Sequence, residues 1–184
     1  MKFTKSKLGN LADFTTGILL PRIKDPIDEK PSRRMIYNPL SRSVRYIHGD
    51  SKLPLITTNQ IGISMLQREA YLVEKKAFVD EQILTANFTA ATLDSRVKQS
   101  YFVWWFNHSI EAQRQLEALG QLGRRVILKD LREMTISIPN LSLQHDIGEL
   151  YVLSQKRSIA LKRKADLTEE QALQFIRQHM MEEG

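Results

Sequence analysis

The junction LREMTISIPNLSLQHDIGEL, Leu131 to Leu150, constrains this chain most, because the hydrophobic period changes inside it. Up to Pro139 the residues alternate as a strand does. Pro139 can neither donate to a ladder nor sit in a helix interior, so the strand stops there. Beyond it Leu143, Ile147, Leu150, Ser154, Ser158, Leu161 and Ala165 fall at spacings of three and four, one narrow stripe of apolar and small side chains. Ser142 is the expected N-cap. Lys156, Arg157, Lys162, Arg163 and Lys164 lie between the stripe positions, and TEEQALQFIRQHM is expected to restart a helix with a capping box, Thr168 with Gln171. Two regions follow: a body, residues 1–140, and a helical region, residues 141–184. A long helix with so narrow a stripe pairs with another helix, its neighbour or that of a second copy, or else lies flat across its own domain.

The body reads as mainly β with buttressing helices, so the fold class is α+β. KLGNLADFTTGILLP brings Leu8, Leu11 and Phe14 toward the core and is punctuated by Gly17 and Pro21. From Ile23 to Pro54 prolines and arginines break the pattern, which predicts loops and brief strands. LPLITTNQIGISM and AYLVEKKAFV carry the β-branched and aromatic enrichment of strands. Asp94 and Ser95 are candidate caps for a helix through RVKQSYFVWWFNHS, where Phe102, Trp105 and Phe106 recur at i, i+3 and i+4. IEAQRQLEALGQLGRR predicts a second helix ending near Gly120 or Gly123, LKDLREM a short third one, and TISIP the last strand.

Charge separates the same two regions. Residues 1–140 hold 21 Lys and Arg against 14 Asp and Glu, while residues 141–184 hold 6 against 7. The basic excess belongs to the body and favours a polyanion partner, since each neutralised phosphate releases condensed counterions; ordinary solubility charge is the alternative reading. The absence of cysteine excludes disulfides, thiolate metal sites and a cysteine nucleophile, and fits a reducing cytoplasm. No apolar run reaches the length of a membrane span, and the N-terminus lacks the apolar stretch of a signal peptide. The expectation is a soluble, cytoplasmic protein.

Catalysis leaves little trace. His48, His108, His145 and His179 are dispersed and form no metal-ligand spacing, and Asp25, Asp28 and Glu29 sit among prolines. YNPLS, Tyr37 to Ser41, is similar to the Asn-Pro motif with which amino-methyltransferases hold a target base; no glycine-rich turn accompanies it, so it reads as a turn. GQLGRR likewise reads as helix termination. Nucleic-acid contact has more support. Arg33, Arg34, Arg42 and Arg45 crowd a loop region with Tyr37 and Tyr46, and Arg124 and Arg125 follow a glycine in another. Arginine forks grip phosphates or read guanine, and Thr58, Asn59 and Gln60 of TTNQ offer neutral groups for adenine or phosphate. Each of these residues also reads as ordinary solvated surface.

The order of KLGNLADFTTG, SYFVWWFNHS and LKDLREMTISIPNLSLQHDIGEL resembles the DNA specificity subunits of type I restriction-modification systems: one target recognition domain followed by one spacer helix. The matching residues are Leu8, Gly9, Thr16, Gly17, Tyr101, Trp105, Ile138, Pro139, Gln144 and Ile147. The sequence departs from the family pattern at Phe3, where a tryptophan is common, and shows no glycine-rich central strand between Ile61 and Asn87. A whole specificity subunit carries two recognition domains and two spacers, so the resemblance implies a half subunit without enzymatic activity or cofactor. Its implied partners are double-stranded DNA, a modification methyltransferase subunit, a restriction subunit, and a second copy paired in coiled-coil manner through Ile147, Leu150, Ser154, Ser158 and Leu161. The alternative is an orphan recognition domain, a regulator or antirestriction decoy that binds methylase subunits.

Overall fold

The computed structural model describes residues 3–20, 33–41, 45–48, 53–75, 81–121 and 126–182. Its centre is an antiparallel sheet of four strands in the order β2 (Ala12–Thr16), β9 (Phe88–Leu93), β6 (Ile61–Ser64), β7 (Glu69–Leu72). All four residues of β6 are buried, which is why IGIS lacks the polar alternation of a half-exposed strand. Registers Ile61↔Ala91, Ile63↔Thr89 and Phe14↔Ala91 put these side chains on one face. Gly62↔Ala90 and Ser64↔Phe88 occupy the other.

On that second face lies a core of Tyr37, Ile56, Val73, Leu84, Phe88 and Ala90. It is roofed by two-stranded pairs, β3 (Arg33–Met35) with β4 (Tyr46–His48) and β5 (Leu55–Thr57) with β8 (Glu81–Ile83). A parallel bridge between Ile36 and Ile83 joins the two pairs. β9, FTAATL, is an inner strand of the four-stranded sheet.

Helix α1 (Gln99–His108) buries Tyr101, Phe102, Trp105 and Phe106, as its spacing predicts, and Val103 besides. Neither Asp94 nor Ser95 caps it; the helix starts after Lys98, and Asp94 Oδ1 accepts from Arg96 N–H instead. The Asn107 amide imitates a strand at the free edge of β7, accepting from Ala70 N–H and donating to Ala70 C=O, both at 2.8 Å. Helix α2 (Ile110–Gln121) follows, and Ser109 Oγ accepts from Ala112 N–H at its start. After α3 (Leu128–Glu133), β10 (Thr135–Ile138) pairs with β1 (Thr4–Lys7), so the chain's first and last strands are neighbours.

Helix α4 runs unbroken from Leu141 to Glu182. Two expectations change here. The N-cap is Asn140, whose Oδ1 accepts from Leu143 N–H, not Ser142. No second helix starts at Thr168, because its hydroxyl donates to the Lys164 carbonyl within the same helix and leaves the backbone ladder intact. The chain forms two compact units, Met1–Gly148 and Glu149–Gly184.

Candidate nucleic-acid interface

Strand β3 is held on both sides. Ile36 N–H donates to Arg45 C=O, and Tyr37 N–H donates to Ile83 C=O, each at 2.9 Å. Period-2 alternation then sends Met35 and Tyr37 into the core and sets Arg34 and Ile36 on the other side. Of the arginines predicted to meet DNA, Arg45 is exposed just before β4. Arg34 is partly buried, with Nη1 out of water and without a partner. Arg33 pairs with His48 through the backbone, and its side chain lies outside the described residues, as do Arg42, Arg124 and Arg125 altogether.

The TTNQ turn between β5 and β6 divides by role. Gln60 is committed to structure, its Oε1 accepting from Thr57 N–H and its Nε2 donating to Thr92 Oγ1, both at 3.0 Å. Thr58 and Asn59 stand exposed at the tip. They adjoin the Ile61 end of β6. Arg45 instead lines a cavity that reaches Ser64, at the opposite end of that strand.

That cavity holds about 480 Å³. YNPLS is the turn predicted, with Asn38 Oδ1 accepting from Leu40 N–H at 3.1 Å, and it also forms one wall. Gln67, Thr85, Asn87 and Phe88 line it from the β6–β7 turn and the approach to β9, together with the apolar Leu20, Ile36 and Leu66. Tyr37 packs its ring across Gly62, where any Cβ would collide with the phenol. Its hydroxyl is buried without a hydrogen-bond partner, a cost on the order of 1–3 kcal/mol. Burial, then the charge of Glu74, pushes its pKa above the ordinary tyrosine range. Gln67 and Asn87 carry no local signal in the sequence, since only the tertiary fold brings them to the same cavity as Asn38.

The helix stripe divides as well. Ile147 is half-buried within the first compact unit. Leu150 and Leu161 are 71% and 57% exposed, and Ser154 and Ser158 are exposed too. From Leu153 to Gln178 every residue is exposed, including Phe175 and Ile176. Among the described residues no group of three or more His, Asp or Glu is placed to hold a metal ion, and no helix is long and apolar enough to cross a membrane.

No family model matches this sequence, and no curated protein does. Solved structures do. The HsdS subunit from Thermoanaerobacter tengcongensis superposes with a TM-score of 0.58 at 14% identity over 88% of this chain and 39% of its own. A chain from a study of complex assembly and conformational transition of the type I R-M system gives 0.64 at 16% identity, over 92% of this chain and 42% of its own. The type I restriction-modification S subunit from M. genitalium gives 0.53 at 11%, over 89% and 41%. This chain spans about two fifths of each of these proteins. A β-rich body followed by one long helix, in this topology, is the domain fold of the type I restriction-modification specificity subunits.

Proposed function

We propose that this chain is a DNA specificity component of a type I restriction-modification system, acting as a half subunit that completes itself by pairing. The observation that carries the reading is the likeness to specificity subunits over about nine tenths of this chain and only two fifths of theirs. In this reading the chain supplies the address, and methyltransferase subunits docked on it supply chemistry at adenine.

Physical arguments support each part. A single recognition body reads too few base pairs to stand out against a genome of competing sites. Pairing two bodies by a two-fold axis doubles the address and makes it an interrupted palindrome. The exposed Leu150 and Leu161 offer the seam, because a narrow stripe of exposed apolar residues on a long helix marks a contact surface. Antiparallel pairing of α4 would let helix length set the separation of the two half-sites. Arg34, Arg45 and the basic loops position the body on phosphates. Sedimentation equilibrium of the purified chain tests the pairing: the expected mass is twice 21.3 kDa, falling to 21.3 kDa when Leu150 and Leu161 are both changed to Glu. A wild-type monomer at all loading concentrations refutes self-completion.

A further inference from the structure

The cavity beside Tyr37 has the build of a ligand site. Its volume, about 480 Å³, lies within the range of small-molecule pockets. The Tyr37 and Phe88 rings meet edge to face, centroids 5.1 Å apart, and form an aromatic wall. The amides of Asn38, Gln67 and Asn87 line the same cavity. One of these is already oriented: Asn38 Oδ1 accepts from Leu40 N–H, so its NH₂ group remains to donate. Arg45 is the one charged residue among the described lining, which holds no carboxylate.

Tyr37 is 3% exposed and its hydroxyl has no partner. It lies over Gly62, on the sheet face whose next member, Ser64, lines the cavity. An aromatic wall, amides able to pair with a base edge and a lone guanidinium together select a planar heterocycle carrying one phosphate. A carboxylate-free lining accepts that phosphate, and Leu20, Ile36, Leu40 and Leu66 add apolar surface for the base and sugar.

We propose that this cavity binds a nucleotide, its base against Tyr37 and Phe88, its edge read by Asn38, Gln67 and Asn87, and its phosphate on Arg45. The nucleotide is either free or turned out of a strand. The inference stands without the specificity reading, because a free nucleotide needs no DNA role.

Equilibrium dialysis of the purified full chain against each of the four deoxynucleoside monophosphates, and against a short single-stranded oligonucleotide, tests it. Saturable binding of at least one is expected, weakened at least tenfold by Arg45→Ala and by Tyr37→Phe. Arg45 is exposed and Tyr37→Phe keeps the ring, so both variants should fold, which circular dichroism checks. An oligonucleotide that displaces the mononucleotide, or binds alone with the same sensitivity to both variants, identifies the strand as source; a mononucleotide it cannot displace identifies the free ligand. No saturable binding of any probe, or binding indifferent to both substitutions, overturns the proposal. Duplex retention on a gel without cavity binding would sink this inference and leave the specificity reading standing.

Discussion

Tyr101 shows how one side chain links three elements. Its hydroxyl donates to Ser137 C=O at 2.6 Å. The Glu111 carboxylate accepts from Ser137 N–H at 3.0 Å, from Ser137 Oγ–H at 2.8 Å and from Trp105 Nε1–H at 2.9 Å. Burial, then the nearby Glu111 charge, pushes the Tyr101 pKa up to about 12. In the unfolded chain the phenol ionises near its ordinary value of about 10. Above that pH the unfolded state loses a proton that the folded state keeps, so this contribution to stability is whole below pH ~10 and falls as pH rises toward 12. The loss is about 1.4 kcal/mol per pH unit for this group. Tyr101→Phe is expected to cost about 1–2 kcal/mol at pH 8 and to flatten the alkaline decline by one group's share. Urea titrations at pH 8, 10 and 11 check both, and an unchanged alkaline slope rules out this phenol as the titrating group. The burial of Tyr101 was legible in SYFVWWFNHS, because helical periodicity is local. Its partners were not, since Glu111 and Ser137 reach it through tertiary packing. Gly17 is similar: the opening motif marked it, but only the structure shows that a side chain there would run into the Thr85 carbonyl. Arg34 carries the same lesson for the candidate site. A sequence counts charges without showing which way a strand turns them.

Helix α4 shows where element boundaries come from. Gln144 is fully buried, its Oε1 accepting from Lys98 N–H at 2.8 Å and its Nε2 donating to Arg96 C=O at 2.9 Å and Pro139 C=O at 2.8 Å. One side chain thus caps the entry to α1 and seats the first turn of α4. Gln144→Ala would leave a donor and two acceptors unpaired in the interior, and the expected cost is about 2–4 kcal/mol. Gln144→Glu keeps the acceptor for Lys98 N–H but cannot serve both carbonyls, so it should also destabilise. Chemical denaturation followed by circular dichroism decides; a loss below about 0.5 kcal/mol for Ala contradicts the clamp. The period change at Pro139 announced the helix, yet its cap fell on Asn140 rather than Ser142, because both residue types can cap and only backbone geometry chooses. Thr168 was misleading for a related reason: a capping-box pattern inside a helix with no breaker nearby is merely two polar side chains on the ladder.

At the scale of the molecule, the order of parts was legible, whereas the placement of the proposed DNA-binding groups was not. A β body, an aromatic helix, a terminal strand and a long helix follow from periodicity, and the specificity-subunit fold agrees with that order. The proposed base-reading groups lie on loops, whose placement depends on the whole sheet assembly, so periodicity carries no information about them. Charge does survive the loss of detail: the body's excess, 21 cations against 14 anions in residues 1–140, is independent of loop geometry. If that excess meets a duplex, the logarithm of affinity falls linearly with the logarithm of salt, with a slope near 0.9 for each phosphate neutralised. Changing Arg33, Arg34, Arg124 and Arg125 together to Ala is expected to weaken binding to mixed-sequence duplex DNA and reduce that slope by up to about 3–4. Replacing Thr58 and Asn59 by Ala should instead leave the slope alone and erode only the preference among sequences, because neutral groups release no counterions. Affinity titrations between 50 and 300 mM salt separate the two classes. An unchanged slope in the arginine variant places the phosphate contacts on another surface of the body, whereas a reduced slope with unchanged sequence preference assigns those arginines to positioning and leaves the choice of bases to the loop tips.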